Sequence, residues 1–466
     1  MKHLNALLTA TFLLASPVLT RAQTTPPALA TFPVGSTTVT VSALTTGLSV
    51  PWELVWGPDN FIWMTERGGR ISRVDPATGA VTPLLTLPDV STSSEGGLLG
   101  MVLHPEFTTS PYVYVVYNYT DNGTYLEKLV RLTYANGTLG APLVLLGNIP
   151  ATSTHSGSRL LLLPDRTLLM STGDAQQRPQ AQNPASLNGK ILRLNLDGTV
   201  PANNPVPGSL VYTLGHRNPQ GLALGPAGRI YSSEHGASSD DELNLIEAGR
   251  NYGWPTVEGY CDQTTETAFC AQNNVREPLT TWTPTLAVAG LAYYTSPAIP
   301  GWQNHLLLTS LKASRLTDLP LNAAGDAVTS RTDYLTGFGR LRSICISPQG
   351  RLYVGTSNRD GRGNPAAPDD RILVLENRAY VATSTKSNAA ARLRLWPNPA
   401  RRTVTLELPA PAAAGATVLV RDALGRTVRT TRFPAAQTRF TFSVEGLRPG
   451  LYSVQSSGGT QQLVVE

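Results

Sequence analysis

Two groups of residues in this chain have types and spacings that can do chemistry. His155 lies nine residues before Pro164 and Asp174 ten after it, on either side of the turn Pro164-Asp165-Arg166. Antiparallel partners about a fixed turn keep a constant residue-number sum, so the imidazole and the carboxylate come side by side. A carboxylate there holds the imidazole in one tautomer and raises its basicity, which makes a general base. The second group is cationic: Arg217, Lys312, Arg340 and Arg342 suit several carboxylates or phosphates. Similar offsets recur elsewhere. Arg217 stands nine before Pro226 and Gly236 ten after it, Arg340 eight before Pro348, and Glu95 ten before Pro105. Lys312, after the strand Leu306–Leu308, takes the place in its hairpin that Asp174 takes in its own. The densest stretch is Gly215–Pro255, with His216-Arg217-Asn218 before one strand, then Glu234-His235-Gly236 and Asp240-Asp241-Glu242 after the next. No Gly-x-Ser-x-Gly elbow and no phosphate-cradling glycine loop is present. The residues alone describe a polyanion site beside a base.

The elements that must position these groups form one repeated pattern: apolar strand, proline with a polar or glycine turn, apolar strand. It reads LVWGPDNFIWMTE at Leu54–Glu66, MVLHPEF…PYVYVVYN at Met101–Asn118 and LLLLPDRTLLMSTGD at Leu160–Asp174. It returns as LALGPAGRIYSSE at Leu222–Glu234, more loosely at Ala292–Leu311, and as ICISPQGRLYVGTSN at Ile344–Asn358. Six copies predict an all-β, six-bladed β-propeller over residues 23–377, in which corresponding hairpin ends share one face around the axis. The strand Arg371–Leu375 is expected to pair with Thr38–Val41 and seal the ring without a raw edge. An irregular β-sandwich is the alternative.

The remaining segments carry no chemistry. Lys2, an apolar run Leu4–Leu19 and Thr20-Arg21-Ala22 predict a secretory signal peptide over residues 1–22, hence export. A Ser/Thr/Ala-rich linker follows the propeller at 378–391, and residues 392–466 alternate as a small C-terminal β-sandwich. With 41 glycines and 36 prolines the composition is that of a turn-rich β protein. A net charge of +5 without basic blocks argues against nucleic acid, and no apolar run is long enough for a transmembrane segment. Cys261 and Cys270 flank a short polar loop that a disulfide could bridge, and Cys345 reads as a buried free thiol.

From about Gly47 to Asn377 the chain resembles the soluble pyrroloquinoline quinone (PQQ) dependent glucose and aldose sugar dehydrogenases. The matching pieces are Glu95–Gly100 with His104-Pro105, His155 through Asp174, and GHRNPQG at Gly215–Gly221. SEHGASSDDELNLI at Ser233–Ile246, NYGWP at Asn251–Pro255, Ser310-Leu311-Lys312 and Gly339-Arg340-Leu341-Arg342 continue the match. The resemblance implies that His155 takes the proton of a sugar's C1 hydroxyl while hydride passes to PQQ, with Asp174 orienting it and Arg217 and Asn218 stabilising the charge that develops. It further implies that Lys312, Arg340 and Arg342 hold the tricarboxylate cofactor, with Glu95 and Thr285 lining the pocket. The carbonyls of Gly236 and Ala237 would hold Ca²⁺. The substrate would be an aldose sugar, the product an aldonolactone, and the electrons would leave to an external acceptor. The chain departs from the glucose dehydrogenase pattern at Glu95 and His235, each in place of Gln, at Ala237 in place of Pro, and at Thr280 and Thr283, where the pattern has a covering Tyr and Trp. Trp282 lies close to those two. An aldose dehydrogenase of broad range fits these departures better than a glucose specialist.

Residues 392–466 resemble the type A sorting domain of type IX secretion. Trp396-Pro397-Asn398-Pro399-Ala400, Asp422–Arg426 and Leu447–Tyr452 carry that likeness, which implies the type IX secretion machinery as a partner. A carbohydrate-binding or adhesion sandwich is the alternative for this module. For the propeller the alternatives are a non-catalytic domain that binds a glycan or protein through the same pocket, and a Ca²⁺-dependent lactonase. A lactonase would need side-chain carboxylates around an axial metal, whereas these hairpin ends are mainly cationic.

Overall fold

Each proline-turn copy folds as an antiparallel hairpin at the inner side of its own sheet. The computed structural model describes residues 26–380, 393–408, 417–422, 426–432, 434, 436–456 and 459–466. The expected signal peptide, and residues 381–391 of the expected linker, lie outside the described residues. The chain divides into two compact units between Val381 and Ala382.

The first unit is a six-bladed β-propeller. Its first blade runs outward through Pro51–Trp56, Ile62–Glu66, Arg70–Val74 and Val81–Thr86. The inner strands of the next five blades are Leu98–Leu103, Gly157–Leu162, Pro219–Leu224, Val288–Tyr294 and Leu341–Ile346. Each inner strand touches the one before and the one after, so the six form a closed ring about the axis. The sixth sheet joins Leu341–Ile346, Leu352–Thr356 and Ile372–Glu376 to the amino-terminal strands Thr37–Thr45 and Ala30–Val34. Its register, Thr40 opposite Glu376 and Val41 opposite Leu375, is the expected seal. Val34, Val39 and Val41 are buried by it against Trp302, Leu341 and Leu375. Each such valine contributes about 1.5–3 kcal/mol relative to exposure, enough to hold the two chain ends together.

The ring is tight because glycines face neighbouring backbone. A Cβ at Gly100 would lie 2.0 Å from the Ser158 carbonyl oxygen, and one at Gly290 would lie 2.6 Å from that of Arg342. The Cys261–Cys270 disulfide is formed. The segment it closes is not the expected loop, for Thr264–Gln272 is an α-helix. Gln263 and Glu266 cap its start reciprocally, satisfying amides that the helix itself cannot. Cys345 is free and buried. No helix among the described residues is long and apolar enough to cross a membrane.

The second unit is a β-sandwich of two sheets. One orders Arg394–Trp396, Thr403–Glu407 and Arg439–Ser443; the other orders Thr427–Arg432, Thr417–Arg421, Gly450–Ser456 and Gly459–Val465. Alternate side chains such as Val404, Leu406, Val418, Val420 and Val454 make their shared core.

Gly290→Ala forces apart the inner strands of blades 5 and 6 and should cost about 1–3 kcal/mol. Scanning calorimetry would show a lowered Tm, with Gly68→Ala, which has nothing within 4 Å, unchanged. Equal melting of both variants would contradict the close packing of the ring.

Candidate active site

The strand ends at one mouth of the ring carry the polar groups. His155 lies two residues before the first residue of the inner strand of blade 3, Gly157, and sits in the left-handed region at φ 61°. Such a conformation is costly for a non-glycine residue and persists only where the surroundings impose it. They do so here. Gly173 packs so closely that a Cβ on it would lie 1.9 Å from the His155 carbonyl oxygen. That approach brings His155 Nδ1 to 2.7 Å from Asp174 Oδ1. Asp174 is fully buried, and its Oδ1 also accepts from the Gln176 amide at 2.8 Å. Its Oδ2 accepts from Trp254 Nε1 at 2.9 Å. Burial pushes this carboxyl up, but the bonds from His155, Gln176 and Trp254 outweigh it and hold the group below the usual carboxylate range. An ionised Asp174 makes Nδ1 the donor, so Nε2 of His155 carries the lone pair. The imidazole is 18 % exposed and open to take a proton.

Blade 4 meets this dyad through its backbone, since the Asp174 amide donates to the Arg217 carbonyl at 2.8 Å. Arg217 and His155 therefore share one face of the ring. Glu234 fixes the segment 216–218: its carboxylate accepts from the amides of Arg217 and Asn218, and from His216 Nδ1 at 2.8 Å. The buried His216 ring, stacked on Tyr252, is thereby structural. The loop after Asp174 wraps around the ammonium of Lys190, which donates to the carbonyls of Gln180, Ala181 and Asn188 at 2.7, 3.0 and 2.7 Å. Burial pulls this lysine down to about 7.

Inside the mouth is a cavity open to solvent. Glu95, Arg340 and Arg342 line it, together with Trp52, Arg67, Gln220, His235, Asp360 and Arg362, none of which the sequence had put forward as ligands. Arg342 is buried and bonds only neutral groups, Ser357 Oγ and Gln220 Oε1, each at 3.3 Å. Burial pushes its guanidinium down to about 10, still protonated near neutral pH. Arg340 is already engaged, its Nε 2.7 Å from Asp360 Oδ2. Glu95 receives Arg362 at 3.1 Å and the His155 amide at 3.3 Å. Burial raises the Glu95 carboxyl, but His235, Arg362 and that amide hold it below its ordinary value. The mouth is thus mixed in charge rather than simply cationic.

The other expected residues sit beside this cavity. Arg217 and Gly236 line a smaller neighbouring pocket, which His235 also borders. Lys312 Nζ donates to Thr285 Oγ1 at 3.1 Å, next to Leu311 and Ala287 of the cavity wall. His155, Asp174, Asn218, Thr285, Lys312 and Ala237 line neither pocket. Two buried donors near the dyad have no partner among the described residues, Arg217 Nε and Asn218 Nδ2. The Gly236 and Ala237 carbonyls accept no hydrogen bond from the described residues. No cluster of three or more His, Cys, Asp or Glu side chains among the described residues is arranged around a metal.

Known proteins place this arrangement. Residues 48–378 match the family model described as glucose/sorbosone dehydrogenase, and 394–466 match that of a secretion system C-terminal sorting domain. The chain is 33% identical over 422 residues to quinoprotein glucose dehydrogenase B of Acinetobacter calcoaceticus, covering 71% of this chain and 87% of that one. It is 32% identical over 341 residues to an aldose sugar dehydrogenase of Escherichia coli K12, covering 70% and 91%. The PQQ-bound aldose sugar dehydrogenase of Streptomyces coelicolor superposes with a TM-score of 0.64 at 36% identity, covering 76% of this chain and 99% of that one. With a six-bladed propeller, a His–Asp dyad at its mouth and most of each relative matched, this chain belongs to the glucose/sorbosone dehydrogenase family of oxidoreductases.

Proposed function

We propose that the chain oxidises aldose sugars at C1 to aldonolactones, using PQQ and Ca²⁺, with His155 as the general base. The observation that carries this reading is the pair of orphaned buried donors, Arg217 Nε and Asn218 Nδ2, beside a dyad whose Nε2 is free. Buried donors without partners are costly, and acceptor atoms of a bound group would relieve them. The unpaired buried cation Arg342 and the Lys312–Thr285 pair fit a ligand with several carboxylates.

When bound, PQQ supplies a two-electron acceptor and Ca²⁺ a Lewis acid, which this protein's side chains do not provide. Lys312, Arg340 and Arg342 would hold the cofactor, with Glu95 and Thr285 beside it; the free carbonyls of Gly236 and Ala237 suit a hard cation. His155 Nε2 takes the proton of the C1 hydroxyl, and Asp174 steadies the imidazolium that results. Arg217 and Asn218 present donors where negative charge develops. The matching sorting domain supports export through the type IX machinery, with electrons passing to an external acceptor.

Purified protein should reduce an artificial dye with an aldose only after PQQ and Ca²⁺ are added, and a chelator should abolish turnover until Ca²⁺ is restored. Dye reduction that ignores PQQ would sink the proposal. His155→Ala should lower kcat by about 10²- to 10⁴-fold while PQQ still binds, as followed by quinone absorbance.

Arg342→Met should weaken PQQ binding about 10- to 100-fold, the loss expected when a buried charged donor is removed. Equal affinity in the same titration would take Arg342 out of the cofactor site.

A further inference from the structure

Trp254 belongs to the NYGWP motif and has no part in the function so far described. Its side chain is nevertheless 5% exposed and lies against the dyad. The indole Nε1 donates to Asp174 Oδ2 at 2.9 Å, and no other described residue donates to this oxygen. The other oxygen, Oδ1, takes both His155 Nδ1 and the Gln176 amide. One face of the indole lies 4.7 Å from the Arg178 guanidinium, and Arg217 stands 5.4 Å from the ring centre.

The indole is delivered to this place by contacts that do not involve Asp174. The Trp254 amide donates to the Gly215 carbonyl at 3.0 Å. The Trp254 carbonyl accepts from Gln182 Nε2 at 2.7 Å, and the same Nε2 lies 2.9 Å from Asn251 Oδ1. Asn251 Oδ1 also accepts from the Gly253 amide at 2.9 Å. Backbone on both sides of the tryptophan is therefore fixed before its side chain meets the carboxylate.

A carboxylate can turn about its last torsion unless each oxygen is held. Asp174 has a competing attraction close by, the Arg217 guanidinium, whose charge it feels. If Oδ2 lost its donor, the group could turn toward that cation and release His155 Nδ1. The proton would then no longer be confined to Nδ1, and Nε2 would not be held as the acceptor.

We infer that Trp254 is a positioning residue for the base: its indole N–H pins Asp174 so that the proton of His155 stays on Nδ1. This rests on the dehydrogenase reading only for its kinetic consequence.

The test uses the full chain labelled with ¹⁵N-histidine, where six histidines keep the spectrum assignable. In the wild type His155 should show the Nδ1–H tautomer. Trp254→Phe keeps the ring stack but loses the donor, and should give a mixture of tautomers. With PQQ and Ca²⁺ its kcat should fall about 10- to 100-fold, with KM within about twofold. In an Asp174→Asn background the same substitution should lower kcat no further, because the tryptophan acts through that carboxylate. If Trp254→Phe does not fold, Asp174→Ala in chain labelled with ¹⁵N-tryptophan reports the same bond from the other side, by moving the Trp254 indole N–H resonance. An Nε2–H tautomer in the wild type, an unchanged imidazole spectrum in Trp254→Phe, or an unmoved indole resonance in Asp174→Ala would overturn the inference. A wild type without PQQ-dependent turnover would instead overturn the functional reading, and the spectra would still decide this one.

Discussion

The Asp174 carboxylate is the constraint around which the mouth is arranged. A fully buried carboxylate is expensive unless its oxygens are filled, and this one is filled from three separate parts of the chain: His155, the following turn at Gln176, and Trp254. Satisfying it fixes much else. Gly173 must be a glycine for the strands to come close enough, and His155 must take a left-handed backbone to face the acid. The Asp174 amide then binds the Arg217 carbonyl, so the start of blade 4 is tied to the end of a blade 3 strand. One ion thus sets the place of an imidazole, its tautomer and the position of the neighbouring arginine.

A ring of blades is suited to this because corresponding strand ends converge without any single loop having to reach far. The price is crowding at the axis, met by glycines opposite backbone on adjoining inner strands. Crowding also concentrates charge. Arg67, Arg340, Arg342 and Arg362 line one cavity, where like charges would repel strongly in a low dielectric. Asp360 and Glu95 answer them. Burial pushes both carboxyls up, yet hydrogen bonds and neighbouring cations hold both below the usual range. Arg67 and Arg342 bond no carboxylate among the described residues, and Arg342 is the more buried of the two. That residual charge marks where an anion is favoured.

The fold and the dyad were legible in the sequence for one reason, the regularity of the hairpins. The sum 155 + 174 = 329 is also the sum of the observed pair Gly157 and Thr172. The pairs next to the turn, Leu160 with Met170 through Leu162 with Leu168, sum to 330, and a bulge lowers the sum by one at Gly157 and Thr172, the register that His155 and Asp174 continue. Trp254, Asp360 and Arg362 were not legible in this way. They stand on connections outside the hairpins, where neither alternation nor turn offset says which way a side chain faces. Arg67 stands one residue beyond the first hairpin's Glu66, just past the repeated pattern. The helix inside the disulfide had only its Gln263–Glu266 cap to announce it.

Two departures from the glucose dehydrogenase pattern gain meaning together. By the resemblance Glu95 and His235 each stand for a neutral amide, and each alone would put an ionisable group in a crowded pocket. In the fold both line the same cavity, and His235 is the largest of the charges that lower the Glu95 carboxyl. The imidazole donates from Nε2 to the Val288 carbonyl at 2.7 Å, and its own burial disfavours the charged form. A lone Glu95 would set a bare carboxylate where an anionic ligand is favoured. Arg362 at 3.1 Å offsets that carboxylate, and His235 adds to the offset only when it is protonated. The two substitutions are therefore one change in the chemistry of the pocket, and a homologue carrying only one of them would hold an anion differently.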